Sequence, residues 1–404
     1  MRRQVWSIGD RETASGWRTM KATELLPIAN REAKRLGAQR ISDITGLNEL
    51  RVSCWQVFYP QAQEIDGNIT VLNGKGWDSE QARLSALMEF IERYWAENTP
   101  LPLHIACQAE LERSNELYIA PSDIPLPVGV ATSDSQPMAW VTGLSLEGEK
   151  IWVPAHEVLC PFKPPIGSYN PPIWRSVGLA AGADETDAVL SGLLEVLERD
   201  AVAVGELGKI GTSVNLDLVD SSKLYALCRQ LKQLDIALEI KQLSALGGVS
   251  AFVACLDEKS AADPMRLIAG YGAHIDPFMA MERAILEAVQ TRATVVAGAR
   301  EDLEKHKSLQ ALGYVQARDS LAWWFDSTNE RLEAPATPLM PPKNLAVALD
   351  TLRHNLMEQG FDRIVVVKLS PPESEIVVVR VIVPGCSHVT SGSVRIGKRF
   401  AKDF

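Results

Sequence analysis

The sequence predicts a mixed α/β fold made of two related halves, in which long helices pack on mixed sheets. Long helical segments alternate with short apolar strands, and 46% of the 404 residues are hydrophobic, enough for a large buried core. One helical motif, S-x3-E-x2-E-R, occurs at residues 85–93 and again at 191–199. Because four residues recur at matched spacing, we interpret the two segments as related α/β units.

The first half begins with a helix and several strands before its motif-bearing helix. Apolar periodicity predicts a helix at 21–36, strands at 40–47, 52–58 and 69–72, and a long helix at 79–97. Asp78 or Ser79 is placed to cap that helix, which follows the turn Gly74-Lys75-Gly76. Prolines between 99 and 172 indicate turns, with short strands at 139–142 and 151–154.

The second half also combines long helices with short strands. A Gly/Ala stretch, 178–182, leads into a helix at about 185–204, followed by a helix near 224–234 and strands near 238–241 and 250–255. The stretch 270–274 precedes a third long helix, with Asp276 as N-cap and Pro277 at its first position. Residues 302–345 are predicted to be irregular, and strands return at 363–369 and 376–383.

Composition excludes several classes of protein. The net charge of −10 argues against a nucleic-acid partner, which requires neutralisation of phosphates by cations. The longest apolar run, 376–383, is interrupted by Arg380, and no apolar signal segment follows the N-terminal arginines. We therefore expect a cytoplasmic protein without a membrane partner. Six cysteines lack a CxxC pair, so neither a disulfide framework nor a zinc site is predicted.

The repeated motif places carboxylates on one face of each helix. At about 100° per residue, Ser85, Glu89 and Glu92 fall within a sector of about 60° on an otherwise apolar helix. The second helix has a similar polar face at residues 187, 191, 195 and 198. Two like charges 4 Å apart repel by about 4 kcal/mol at an effective dielectric near 20, so a cation is expected beside them. Magnesium suits such oxygen ligands together with substrate phosphates.

Single Glu/Arg helices are most often solvated faces or structural ion pairs, and only the doubled motif favours a site here. The sequence has no GxxxxGK[ST], which excludes a P-loop. Gly270 and Gly272 lack a third glycine, so a Rossmann dinucleotide site is not indicated either. Any nucleotide site would have to be of another kind.

Several motifs together resemble the YcaO family in the expected order. They are Asn73-Gly-Lys-Gly76, the two S-x3-E-x2-E-R helices, Ser176-x-Gly-Leu-Ala-Ala-Gly182, Asp200 after Arg199, Glu287-x2-Gln290-x-Arg292 and Val383-Pro-Gly385. The resemblance implies the YcaO fold over 36–404, with internal halves at about 36–160 and 170–404 and the ATP site between the helices. Residues 1–35 are then an N-terminal segment.

The resemblance also implies cofactors and site residues. The cofactors are ATP and Mg²⁺, and the implied magnesium ligands are Glu89, Glu92, Asp187 and Glu198. The implied ATP contacts are Lys75, Ser85, Glu195, Arg199, Glu287 and Gln290. No catalytic residue is identified. The implied reaction is ATP-dependent phosphorylation of a peptide backbone amide oxygen, which becomes a good leaving group.

The nucleophile decides the product, and three functions stay open. The segments 40–47 and 81–89 are most similar to stand-alone members that install a thioamide in a ribosomally made peptide or protein with a TfuA-like partner. The C-terminal end also lacks the PxPxP of azoline-forming cyclodehydratases, which are the alternative. The third function is a non-catalytic scaffold subunit, suggested by Val177 and Ala183 where polar residues are common. A homodimer is expected, and Cys386 is either a sulfur carrier or a buried structural thiol.

Overall fold

The structure is a computed structural model that describes residues 17–50, 52–59, 70–171, 173, 175–216, 221–298, 307–334, 339–390 and 393–400. Its helices are α1 (Ala22–Arg35), α2 (Ser79–Asn98), α3 (Gln108–Arg113), α4 (Glu185–Gly208), α5 (Ser222–Gln233), α6 (Pro277–Ala297), α7 (Lys307–Ser320), α8 (Ala322–Phe325) and α9 (Leu345–Glu358).

The strands confirm a mixed α/β fold. They are β1 (Arg40–Asp43), β2 (Ser53–Phe58), β3 (Val71–Gly76), β4 (His104–Ala106), β5 (Met138–Ser145), β6 (Lys150–Pro154), β7 (Leu179–Gly182), β8 (Thr212–Asn215), β9 (Ala237–Leu243), β10 (Ser250–Asp257), β11 (Leu267–His274), β12 (Arg331–Glu333), β13 (Val365–Lys368), β14 (Val377–Ile382), β15 (His388–Thr390) and β16 (Ser393–Arg395).

The chain forms two compact units. Unit 1 contains 1–36, 91–203 and 341–404, and unit 2 contains 37–90 and 204–340. Both units are therefore assembled from separated segments, whereas the predicted halves, 36–160 and 170–404, are contiguous in sequence. The relationship between those halves stays a prediction about the sequence repeat.

Unit 1 holds an antiparallel sheet in the order β4-β5-β13-β14-β7, with β6 paired to β5, and a hairpin of β15 and β16. All its strand pairings are antiparallel; for example, Val365 lies opposite Ile382 and Val379 opposite Ala180. The strands are largely apolar and buried: in β14, residues 378–382, Arg380 among them, are all inaccessible to solvent or nearly so.

Unit 2 holds an antiparallel sheet β1-β2-β3 and a five-stranded sheet β11-β10-β9-β8-β12. Its core joins apolar residues of β10 and β9 to those of α5 and α6, including Phe252, Ile240, Leu224, Met281 and Ile285. The pairing of β10 with β11 runs from Ser250 opposite His274 to Asp257 opposite Leu267. This continuous pairing holds β11, the strand that leads into α6, in place.

The three long helices begin with aspartate caps. Asp78 accepts a hydrogen bond from the Gln81 amide at 2.8 Å, Asp184 from the Asp187 amide at 3.0 Å, and Asp276 from the Phe278 amide at 2.9 Å. Such caps satisfy amide groups that the first helical turn leaves unpaired. The predicted roles of Asp276 and Pro277 are confirmed, and α6 ends at Gly298 in the left-handed conformation, φ 62°.

The prediction of an irregular region at 302–345 is wrong for much of its length. Within it the structure places α7, α8 and β12. A break at Gly313, φ 74°, divides α7 and interrupts the helical periodicity that a sequence window could detect. Within the described part of the chain, no helix is long and apolar enough to cross a bilayer.

Candidate nucleotide and metal site

Three strands each lead into a long helix, and in each case a glycine lets the strand lie against the helix backbone. A Cβ atom at Gly74 would be 2.1 Å from the Ala86 amide nitrogen, and one at Gly270 would be 2.1 Å from that of Ala288. A Cβ at Gly182 would be 2.3 Å from the nitrogen of Ala188. These contacts exclude any side chain and fix the distance between strand and helix.

A glutamate on each of these helices accepts a hydrogen bond from the preceding strand segment. Glu89 accepts from the Asn73 amide at 3.2 Å, Glu195 from the Gly178 amide at 3.2 Å, and Glu287 from the Tyr271 amide at 3.4 Å. Among the described strands, β3, β7 and β11 each lie at an edge of their sheet. The hydrogen bond satisfies the amide and holds the carboxylate in place.

The sequence motif therefore occurs three times, not twice. Each copy has a capping aspartate, an alanine four residues later, and the edge-binding glutamate; the residue one turn further is Glu92, Glu198 or Gln290. The third copy was not recognised as a repeat from the sequence, because Arg283 stands in place of the serine and Gln290 in place of the second glutamate. The shared spacing from cap to glutamate was the available signal.

Burial agrees with the polar face predicted for α4 at residues 191, 195 and 198, whereas Asp187, predicted on the same face, is buried. Between residues 186 and 200, the partly exposed positions are Ser191, Glu195, Glu198 and Arg199, and every other position is buried. Ser85, Glu89 and Glu92 on α2 and Glu287 and Gln290 on α6 are likewise partly buried. Side chains with this exposure are shielded from bulk water but can still reach a ligand.

In unit 2 the structure brings together two residues predicted to contact nucleotide. Lys75 Nζ lies 2.7 Å from Glu287 Oε2, and about a quarter of each side chain is exposed. β3 thus presents the lysine to α6, whose glutamate also binds the β11 amide through its other oxygen. The lysine is held in one position but remains accessible to an anionic ligand.

In unit 1, Glu195 lies in an environment that disfavours a bare carboxylate. Burial, followed by the charge of Glu198, raises the pKa of Glu195 to about 7, although Arg199 and the Gly178 amide act in the opposite direction. Arg199 also contacts Glu198, at 3.5 Å. A bound cation would stabilise the ionised form of Glu195 beside the second carboxylate, Glu198, one turn away.

Sequence reasoning missed Arg18, which lies against two residues of the polar face. Its Nη1 donates to Asp187 Oδ1 at 3.0 Å and to Ser191 Oγ at 2.8 Å. The Asp187 side chain is only 3% exposed, so a cationic partner offsets the cost of burying its charge. An isolated arginine before the first predicted helix gives no spacing signal that could have indicated this contact.

The predicted magnesium ligands are divided between the units: Glu89 belongs to unit 2, and Glu92, Asp187 and Glu198 belong to unit 1. Among the described residues, no group of three or more His, Cys, Asp or Glu side chains is arranged to hold a metal ion. Magnesium is usually held by one or two carboxylates together with water and phosphate oxygens, and these oxygen donors fit that chemistry. Their joint role as ligands stays a prediction.

Cys386 is a buried thiol. It is 4% exposed, and burial, followed by the charge of Asp200, raises its pKa well above the usual value. The adjoining Ser387 amide donates to Asp200 at 2.7 Å, and Arg399 binds the other oxygen of Asp200 at 2.9 Å. These contacts tie the C-terminal loop to the end of the α4 motif and favour a structural thiol over a sulfur carrier.

Comparison with known proteins agrees with this architecture. A family model described as the ATP- and Mg²⁺-binding YcaO cyclodehydratase matches residues 73–387. An uncharacterized protein of Methanothermobacter thermautotrophicus is 29% identical over 94% of this chain and 97% of its own length. An uncharacterized protein of Rhizobium leguminosarum bv. trifolii, described as lying in the tfuA 3′ region, is 28% identical over 90% of this chain and 87% of its own.

Solved structures share the fold. YcaO from Methanopyrus kandleri, bound with AMPPCP and Mg²⁺, has a TM-score of 0.77 at 23% identity, over 96% of this chain and 98% of that one. A heterocyclase in complex with substrate and cofactor has a TM-score of 0.78 at 22% identity, over 94% of this chain and 54% of that one. The fold is thus that of ATP- and Mg²⁺-binding cyclodehydratases. The chain belongs to the YcaO family, and ATP and Mg²⁺ are the cofactors of that family.

Proposed function

We propose that the protein is an ATP-dependent enzyme that phosphorylates a backbone amide oxygen of a ribosomally made peptide or protein and so installs a thioamide with a TfuA-like partner. The observation that carries the proposal is the set of three edge-binding glutamates, Glu89, Glu195 and Glu287, in a member of an ATP- and Mg²⁺-binding family. The relative encoded in a tfuA 3′ region supports the choice of partner.

The proposed chemistry follows from the weakness of an amide oxygen as a leaving group. Magnesium-bound ATP, when present, supplies the phosphoryl group that makes this oxygen a good leaving group. Lys75 and Arg199 would contact phosphate oxygens through their cationic ends, and Ser85 and Gln290 would complete the polar contacts. Glu89, Glu92, Asp187 and Glu198 would hold the magnesium, and Arg18 supplies positive charge beside Asp187.

Azoline formation is the second candidate. It is supported by the description of the family as a cyclodehydratase and by the likeness in fold to a heterocyclase and to the E. coli microcin synthetase McbBCD complex, TM-score 0.62. In that reaction a neighbouring Cys, Ser or Thr of the peptide attacks in place of sulfide. A non-catalytic scaffold is less well supported, because the acidic residues and Arg199 are all retained.

Mass spectrometry of the modified peptide separates these functions. The full chain is incubated with a candidate peptide, Mg·ATP, sulfide and the TfuA-like protein encoded nearest to it. Replacement of oxygen by sulfur raises the peptide mass, whereas cyclodehydration lowers it. Glu198→Gln should abolish the change, while the exposed control Glu375→Gln, which pairs with Arg31 on the surface, should not. If the peptide mass stays unchanged and no ATP is consumed, with or without sulfide and the TfuA-like protein, both enzymatic functions are contradicted.

A further inference from the structure

A buried carboxylate in unit 1 is surrounded by three arginines. Glu157 is fully buried; Arg175 Nη2 lies 2.6 Å from one of its oxygens and Arg395 Nη1 lies 2.8 Å from the other. The third arginine, Arg380, is also fully buried, and its Nε donates to the Glu157 carbonyl at 2.9 Å. Its Nη2 donates to the Arg175 carbonyl. Two guanidinium groups thus bind one carboxylate, while the third binds the neighbouring backbone carbonyls, so three positive charges lie around the single negative charge of Glu157.

Neighbouring titratable groups do not restore the balance. Burial, together with Arg175, Arg199 and Arg395, lowers the pKa of His388 to about 3, so its ring is neutral. Burial and the same arginines Arg395 and Arg175 lower the pKa of His156 to about 4, against the opposing effect of Glu157. Glu195, which also senses Arg380, has a pKa raised to about 7 and is only partly ionised at neutral pH.

Two guanidinium donors in this cluster have no acceptor within the part of the chain that the structure describes. They are Arg175 Nε and Arg380 Nη1, and both are buried. A buried charged donor without an acceptor is costly, so such donors usually meet a ligand or an ordered water. Guanidinium groups match the geometry of oxyanions and bind phosphate more strongly than they bind neutral acceptors.

We propose that Arg175, Arg380 and Arg395 form a binding site for a small phosphate-class oxyanion, which completes the charge balance that Glu157 leaves unfinished. Arg175 is the point of access, because its side chain is 11% exposed and Ser176 beside it is exposed. None of these arginines is among the residues proposed to hold nucleotide. The oxyanion is either free orthophosphate or a phosphate group of a nucleotide, and the two share the same recognition chemistry.

Isothermal titration of the full chain with inorganic phosphate, at constant ionic strength in chloride, tests the site. Titration of wild type with phosphate should give a heat of binding, whereas titration with chloride should not. Arg175→Gln should weaken phosphate binding at least tenfold, since it removes one charge and one unmatched donor. Arg353→Gln is the matched control, because Arg353 is a partly exposed arginine of the same unit that pairs with Asp350 and Glu147; its affinity should equal that of wild type.

The folded state of each variant is checked by thermal unfolding, and Arg395 should keep Glu157 paired in Arg175→Gln. If that variant does not fold, Arg175→Lys is used instead. Lysine retains the charge but lacks the planar guanidinium group that donates two hydrogen bonds to one oxyanion, so binding should still weaken. Saturation with Mg·AMPPCP distinguishes the source: competition with phosphate identifies a nucleotide phosphate, and independent binding identifies the free ion. Absence of phosphate binding in wild type, or equal affinity in the folded Arg175 variant, would overturn the site while leaving nucleotide binding and the proposed function unaffected.

Discussion

Lys75 donates to Glu287 at 2.7 Å, which joins the strand β3 to the helix α6 through two side chains that were both predicted to contact nucleotide. The glutamate simultaneously accepts the Tyr271 amide, so the pair is anchored to β11 as well. A cation that is already oriented by a neighbouring carboxylate loses little conformational freedom when it binds phosphate. We therefore infer that the pair is a prepared position for an anionic ligand.

Lys75→Ala should weaken Mg·ATP binding by about tenfold or more, because a charge-assisted hydrogen bond of about 1.5–3 kcal/mol is lost. The measurement is the dissociation constant of Mg·AMPPCP from isothermal titration. Lys232→Ala, on the exposed face of α5, is the control and should bind as wild type does. A double-mutant cycle with Glu287→Ala should show coupling; additive effects would mean that the two residues act separately.

Gly270→Ala should destabilise unit 2 strongly. The new Cβ would meet the Ala288 nitrogen at 2.1 Å and the Ala284 carbonyl oxygen at 2.5 Å, and neither backbone atom can move without displacing α6. We expect a loss of at least about 3 kcal/mol in the free energy of unfolding, measured by urea denaturation. Gly46→Ala, which meets no atom within 4 Å, should lose much less. Equal stability of the two variants would contradict the contact between β11 and α6.

Stability should respond to pH through Glu97. Burial raises the pKa of Glu97 from 4.5 to about 7, against the opposing charge of Arg93. Between these values the unfolded chain ionises while the folded chain stays protonated, so wild type loses stability as pH rises from 4.5 and the loss is complete above 7. Glu97→Gln does not titrate, and from pH 4.5 to 8 it should gain on the order of 2 kcal/mol relative to wild type. The check is urea unfolding at both values; a pH-independent difference would exclude this role.

Cys386 should be unreactive in the native protein. Its thiol is buried and its pKa is raised by burial, so little thiolate is available. Iodoacetamide followed by peptide mapping should leave Cys386 unmodified until the protein is unfolded with urea. Cys386→Ala should form product at the wild-type rate per folded molecule, although the cavity lowers stability somewhat. Rapid native alkylation of this thiol, with loss of product in the variant, would instead support sulfur transfer.

Much of the fold was accessible from sequence because local signals agreed with tertiary structure. The caps and apolar periodicity of the helices α2, α4 and α6 predicted their positions, and their burial left the expected polar faces. Residues 307–325 were not predicted as helical, because the break at Gly313 and an exposed surface weaken the periodic pattern. The assembly of each unit from segments that are separated in sequence depends on long-range packing, which no local pattern encodes.

The site was partly predictable for a similar reason. The motif identified the carboxylates Glu89 and Glu195, but their hydrogen bonds to edge amides depend on where each sheet ends. Arg18 lies far from Asp187 in sequence, and a single long-range ion pair leaves no periodic signal. Arg175 and Arg380 were outside the motifs used, and their common partner, Glu157, is recognisable only from the folded chain.

Titration of Mg·AMPPCP into wild type and Glu198→Gln, with and without magnesium, tests the central claim that these helix carboxylates hold a magnesium nucleotide. Wild type should bind only when magnesium is present, and the variant should bind at least tenfold more weakly, while Glu375→Gln should bind as wild type does. Equal affinity of wild type and Glu198→Gln, or binding by wild type that does not depend on magnesium, would contradict the account.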